Sequence, residues 1–199
     1  MQVSLMELWL PILIASVCVF FASSIIWMIL PYHKKDIQFL PSEAELTSKV
    51  SEMNIKPGLY MFPNCQDAKD MKSEEFRAKW NAGPWGTITV QGQQPNFPMN
   101  LLKTFLAYLF ITIFVAYIAG IALPKGAEYM QVFQVIGAAA VLGHCMGGLA
   151  GDFFLGKPTR FIITGFVDGV IFAMITAGVI ASMWPALEGI PGSPLIIQP

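Results

Sequence analysis

Four apolar runs constrain this chain more than any other feature. They are Leu8 to Leu30, Leu101 to Leu123, about Met130 to Phe154, and Phe161 to Trp184. Crossing a bilayer takes about 20 helical residues, and each run is long enough. Inside lipid a chain must satisfy its own backbone polar groups, so each run must form a helix. Charge supports this reading, because only 13% of the 199 residues are Asp, Glu, Lys or Arg. A soluble domain carries about 25%. The expected fold is therefore an all-α integral membrane protein with four transmembrane helices. Residues 1–30 hold the first helix and residues 31–100 a roughly 70-residue cytoplasmic segment. Residues 101–199 hold three further helices (101–123, 130–154, 161–184) and a short outer C-terminal tail. Trp9, Tyr32, Tyr129 and Trp184 lie near span ends, as an interfacial aromatic belt requires.

The first run reads as a retained anchor, not a cleaved signal. No basic stretch precedes it, its apolar core is too long, and no small-residue cleavage site ends it. Orientation follows from the cations. Lys34, Lys35, Lys49, Lys56, Lys69, Lys72, Arg77 and Lys79 lie between spans one and two, with Lys103 just beyond. Lys157 and Arg160 lie in the turn between spans three and four, and only Lys125 falls on the other side. Positive charge stays in the cytoplasm, so both termini are expected on the outer face.

The cytoplasmic segment has little apolar content, which predicts a small lid on the membrane surface. Ser42 and Glu45 have capping-box spacing and predict a short helix. "KSEEFRAKWNAG" predicts another, capped by Ser73 and ended by Gly83. "GTITVQG" alternates like a short strand. Nine basic residues balance eight acidic ones from Pro31 to Lys103, which argues against a polybasic lipid-binding patch. The overall net charge of -1 gives no reason to expect a nucleic-acid partner.

Two rows of small residues suit close helix packing in lipid. Span three has Ala139, Gly143, Gly147 and Gly151, and span four has Gly165, Gly169, Ala173, Ala177 and Ala181. A short turn joins these spans, so the rows are expected to face each other in a tight hairpin. His144 lies beside the first row and Asp168 beside the second. Both fall roughly 10–12 Å inside the cytoplasmic end by helical rise. They are expected to form an intramembrane polar pair, fixing helix register or relaying a proton.

Cofactor chemistry finds little support. Cys18, Cys65 and Cys145 are scattered, and no metal-ligand spacing exists, so neither a disulfide framework nor a metal site is expected. His144, Cys145 and Asp168 are a thin ligand set. A bis-histidine haem needs two ligands at matching depth, and His33 reads as an interfacial residue. A cysteine nucleophile would rest on Cys65 with His33 as its base, and no catalytic spacing supports it.

The pieces "SSIIWMILPYHKKD", "GLYMFPNC", "MKSEEFRAKWNAGPWG" and "LPKGAEYMQVFQVIG" together resemble a family of small, uncharacterised bacterial four-span membrane proteins. The resemblance implies a bacterial inner-membrane location and the same layout. It implies no activity, cofactor or catalytic residue. The leading expectation is a non-enzymatic accessory or assembly subunit of a larger membrane complex, with lipid and partner subunits or self-association as its contacts. The alternative is a homo-oligomeric small transporter or proton-coupled channel using His144 and Asp168. A membrane enzyme resting on Cys65 and His33 is a third reading.

Overall fold

The computed structural model describes residues 2–187. The outer tail expected beyond Trp184 therefore falls mostly outside the described residues.

Four helical units are long and apolar enough to cross a membrane. They are α1 (Trp9–Met28), α4 (Phe97–Ala122), the broken unit Tyr129–Phe154, and α7 (Thr159–Ser182). This is the all-α, multi-pass layout that the apolar runs dictate. Neither α1 nor α4 carries a charged residue in its first or last turn. Pro11 sits in the first turn of α1, where backbone N–H groups have no helical partner to lose. Asn96 caps α4 by accepting a bond from the Met99 N–H, which starts the helix at Phe97, before the apolar run begins.

The third unit is not one helix. α5 (Tyr129–Val141) passes into a π turn at Leu142–Met146, and α6 (Leu149–Phe154) follows after Gly147 and Gly148. The span expected over 130–154 is present as one crossing unit, with its regular helical bonding interrupted between α5 and α6. A dense run of glycines makes the extra residue of a π turn inexpensive there. Gly156, in the left-handed region at φ 67°, then turns the chain into α7.

The helices close a ring in the order α1, α4, α5, α7, and α5 against α7 is the most extensive contact. Its interior is built from small residues. Ala15 of α1, Ala116 and Ala119 of α4, Ala140 of α5, and Ala173 and Ala177 of α7 are buried, among Leu8, Val132, Ile136 and Ile180. Small side chains let helix backbones approach, which is the main attraction available in lipid. The N-terminal residues close the far end. The Val3 N–H donates to Gly120 O at 3.1 Å, and Glu7 pairs with Lys125.

The connecting segment holds a 3-10 turn (Pro31–Lys35), α2 (Glu43–Glu52), β1 (Gly58–Phe62), α3 (Glu74–Ala82) and β2 (Gly86–Val90). Ser73 caps α3 by accepting from the Phe76 N–H at 3.1 Å, and Gly83 ends it at φ 65°. α2 forms without the expected capping box, because the Ser42 side chain makes no cap bond. β1 pairs antiparallel with β2, from Gly58 opposite Val90 to Phe62 opposite Gly86. "GLYMF" escaped the sequence reading because a continuous apolar run shows no alternation.

Candidate functional site

Arg160, Thr164 and Asp168 recur every fourth residue along α7, so they form one stripe on its face. The chain leaving α1 meets this stripe. Leu30 is extended and Pro31 starts the 3-10 turn, which folds His33 inward while Lys34 and Lys35 stay exposed. His33 ends up 5% exposed. It lies in the turn just past the end of α1 and is enclosed by protein. Trp27 of α1 stacks flat on the imidazole at 4.0 Å, and Tyr32 tilts against it at 4.1 Å.

Each nitrogen of His33 faces a carboxylate. Nδ1 lies 2.7 Å from Asp36 Oδ2 and Nε2 lies 3.0 Å from Asp168 Oδ2. The second contact is at ion-pair distance but off the line of a good hydrogen bond. Thr164 donates to Asp36 Oδ2 at 2.7 Å, and Tyr32 donates its hydroxyl to Asp168 Oδ1. Arg160 spans the rim: Nε sits 2.9 Å from Asp36 Oδ1 and an Nη donates to Tyr32 O at 2.6 Å. The side chains of His33, Asp36 and Asp168 are each no more than 4% exposed, whereas that of Arg160 is 49% exposed. Burial pushes the Asp36 carboxyl up. The hydrogen bonds from Thr164 and His33 and the charge of Arg160 outweigh it and hold Asp36 below the ordinary aspartate range.

The proton inventory follows from imidazole chemistry. A neutral ring has one N–H and one lone pair. Between two ionised carboxylates it would press that lone pair against one of them, away from water. A second proton, on the ring or on a carboxyl, removes the repulsion. With an imidazolium, the charges of Asp36, His33, Asp168 and Arg160 sum to zero. The row thus places one imidazole, buried away from water, between two carboxylates.

The expected His144–Asp168 pair does not form. Asp168 is engaged by His33 and Tyr32. His144 sits in the π turn between the Tyr108 and Phe172 rings, each 5.9 Å away, and its Nε2 is buried without a hydrogen-bond partner. Tyr108 donates instead to Ser23 Oγ at 3.0 Å. The π turn brings the His144 ring to Phe172 of α7 and its backbone to Gly169, not its ring nitrogens to Asp168. A Cβ on Gly169 would lie 2.9 Å from His144 O and 2.7 Å from Cys145 Sγ.

The small residues divide by location. Gly169, Ala173 and Ala177 of α7 meet the α5 side, where Gly137 lies opposite Ala177 and Ala140 is buried. The buried row of α5 is Val132, Ile136 and Ala140, not the row through Gly143 and Gly147. Gly143 faces Ile111 of α4, Gly147 meets its own turn at Gly143 O, and Gly151 and Gly165 have open space. Of the two small-residue rows expected to face each other, the α7 row faces α5, and α5 meets it with Val132, Ile136 and Ala140 instead of the row from Ala139 to Gly151. The physical reason is phase: Ala139 and Gly143 lie one position off the buried row of every fourth residue, so they point beside the α7 contact.

The His33 ring is committed to two carboxylates, so it cannot also serve Cys65 as a base. Cys65 lies in the loop after β1, half-buried, its backbone N–H bonded to the Asn64 side chain. Among the described residues no three His, Cys, Asp or Glu converge on a point where a metal would sit. His33 stands between its carboxylates instead of beside them. Comparison with family models, curated proteins and solved structures finds no match.

Proposed function

We propose that this chain is a non-enzymatic, proton-coupled membrane protein, a small transporter or channel working as a homo-oligomer. The observation that carries this reading is the buried Asp36–His33–Asp168 row, in which both nitrogens of one imidazole face carboxylates. Ionisable groups inside a membrane are costly and mark proton or ion pathways. Asp168 lies nine residues into α7, about 14 Å by helical rise, while Arg160 brings the other end of the row to water. The cation distribution and the resemblance to small bacterial four-span proteins support a bacterial inner-membrane location with both termini outside.

The test uses purified protein in vesicles under an imposed pH gradient, read by an internal pH-sensitive dye. Proton flux above that of empty vesicles is expected. His33→Gln and Asp168→Asn should abolish it and His144→Gln should not. Flux equal to that of empty vesicles, or flux untouched by His33→Gln, rules the reading out.

A second reading is an accessory or assembly subunit of a larger membrane complex. What favours it is the open surface of the spans. The α4 and Tyr129–Phe154 units bury only 28% and 22% of their apolar windows within the chain. Purification from native membranes in mild detergent tests it, and a clean monomer with no companion protein counts against it.

A further inference from the structure

From Ile37 to Asn96 no described residue is buried, although the segment contains two helices and a hairpin. Helices of nine or ten residues are marginal alone in water, and so is an isolated two-stranded hairpin. Regular structure that covers nothing of its own must be covered by something else. The shape of the hairpin end indicates what that is.

Phe62 closes β1 directly across from Gly86 of β2. A Cβ on Gly86 would lie 2.8 Å from the Phe62 ring, so the glycine makes room for it. The Trp85 indole folds over Gly83, where a Cβ would meet it at 3.1 Å, and its Nε1 donates to Trp80 O at 2.6 Å. Trp80 continues the apolar side of α3, with Phe76 at 5.9 Å. Three large aromatic side chains, from β1, α3 and the turn before β2, are thus gathered at one end of the hairpin. They line one wall of an open cavity of about 210 Å³, without a charged residue in its lining. The opposite wall is Phe154 and Gly156, the last residue of α6 and the turn beyond it. That is the point where a membrane-crossing unit ends. The aromatic end is therefore turned toward the level at which the chain leaves the membrane. Trp80, Trp85 and Phe154 are still 49%, 61% and 80% exposed. Indoles settle at the headgroup boundary of a bilayer, where an apolar ring and a polar N–H are both accommodated.

We infer that Phe62, Trp80 and Trp85 form a docking face by which the connecting segment sits on the headgroup–acyl boundary of the bilayer holding its own spans. The occupant is lipid, and the aromatic cluster is the anchor. This stands independently of proton coupling.

Full-length protein is reconstituted in phosphatidylcholine vesicles, with and without bromine atoms at a shallow acyl position. Wild type is compared with the Trp80→Phe, Trp85→Phe double variant. Trp9, Trp27 and Trp184 are common to both, so the difference in emission isolates the two indoles. The difference emission is expected to be blue-shifted, to lose about half its intensity in brominated lipid and to resist acrylamide, as interfacial indoles do. Difference emission that ignores bromine and is quenched by acrylamide overturns the inference. If the double variant does not fold, a nitroxide on Thr87→Cys, with the native cysteines replaced by alanine, reports from the same cavity. Relaxation by oxygen over a water-soluble nickel chelate supports lipid contact. The reverse order, or spin–spin coupling between copies showing that a second chain covers the face, overturns it.

Discussion

His33 has a carboxylate on each nitrogen, and that arrangement makes its removal costly. Taking one partner from a buried charged row leaves the other uncompensated, at about 3–5 kcal/mol. Asp168→Asn should therefore destabilise the protein by a few kcal/mol, and so should His33→Gln. The double variant should lose clearly less than their sum, because the two residues are in contact at 3.0 Å. His144→Gln combined with Asp168→Asn should instead be additive, since no bond joins those two. Thermal unfolding in detergent measures all of these, and additivity of the His33–Asp168 pair would deny their coupling. At this scale the sequence was half legible. Thr164 and Asp168 are visible as one helix face, and Asp168 as a residue needing a partner. The partner was misassigned because helical rise compares depth only between helices. His33 follows α1 across a proline and re-enters the bundle through a 3-10 turn, which no periodicity announces.

Among the elements, the contact between the π turn and α7 carries a sharp contrast. Gly169→Ala would put a Cβ against His144 O at 2.9 Å, which is backbone and cannot step aside. It should cost about 1–3 kcal/mol, as overpacking does. Gly165→Ala, one turn away with nothing within 4 Å, should be neutral or stabilise by up to about 1 kcal/mol. Equal effects of the two would mean that the π turn does not sit against Gly169. At the opposite end of the bundle, the hydrogen bond and charge of Lys125 hold Glu7 down at about 2, from an ordinary 4.5, with further bonds from Ser4. A depressed carboxyl adds stability above its unfolded value and loses it as pH falls through its folded value. Wild type should therefore lose this increment between pH 4.5 and about 2, while Glu7→Gln shows a flatter acid limb. The effect is small, because the pair is partly exposed. Equal acid limbs would mean that the clamp is absent. The helices themselves were easy to read, because long apolar runs in lipid have one solution. The π turn was not, since glycines at every fourth position suggest close packing whether or not the helix stays regular. β1 was hidden for the reason its neighbour β2 was found, the absence or presence of alternation.

The molecule as a whole combines a ring of four apolar helical units with a connecting segment that has no interior of its own. Among the described residues of that segment, His33 and the Asp36 side chain are the buried groups that turn inward to α7. The proposed sidedness makes Cys65 reactive to membrane-impermeant thiol reagents from the cytoplasmic side only, and labelling from outside would reverse the orientation. Architecture was legible because lipid restricts it so strongly. The site was not, because it is assembled by a six-residue inward fold between two elements far apart in sequence. The central claim is that the His33 ring lies buried between the Asp36 and Asp168 carboxylates. Solid-state ¹⁵N spectroscopy of the protein in bilayers, with ¹⁵N-labelled histidine, tests it directly, since the chain has only two histidines. The account predicts one ring, absent from the His33→Gln spectrum, whose nitrogen resonances move when Asp36→Asn or Asp168→Asn replaces a facing carboxylate. A ring removed by His33→Gln whose resonances ignore both substitutions would contradict it.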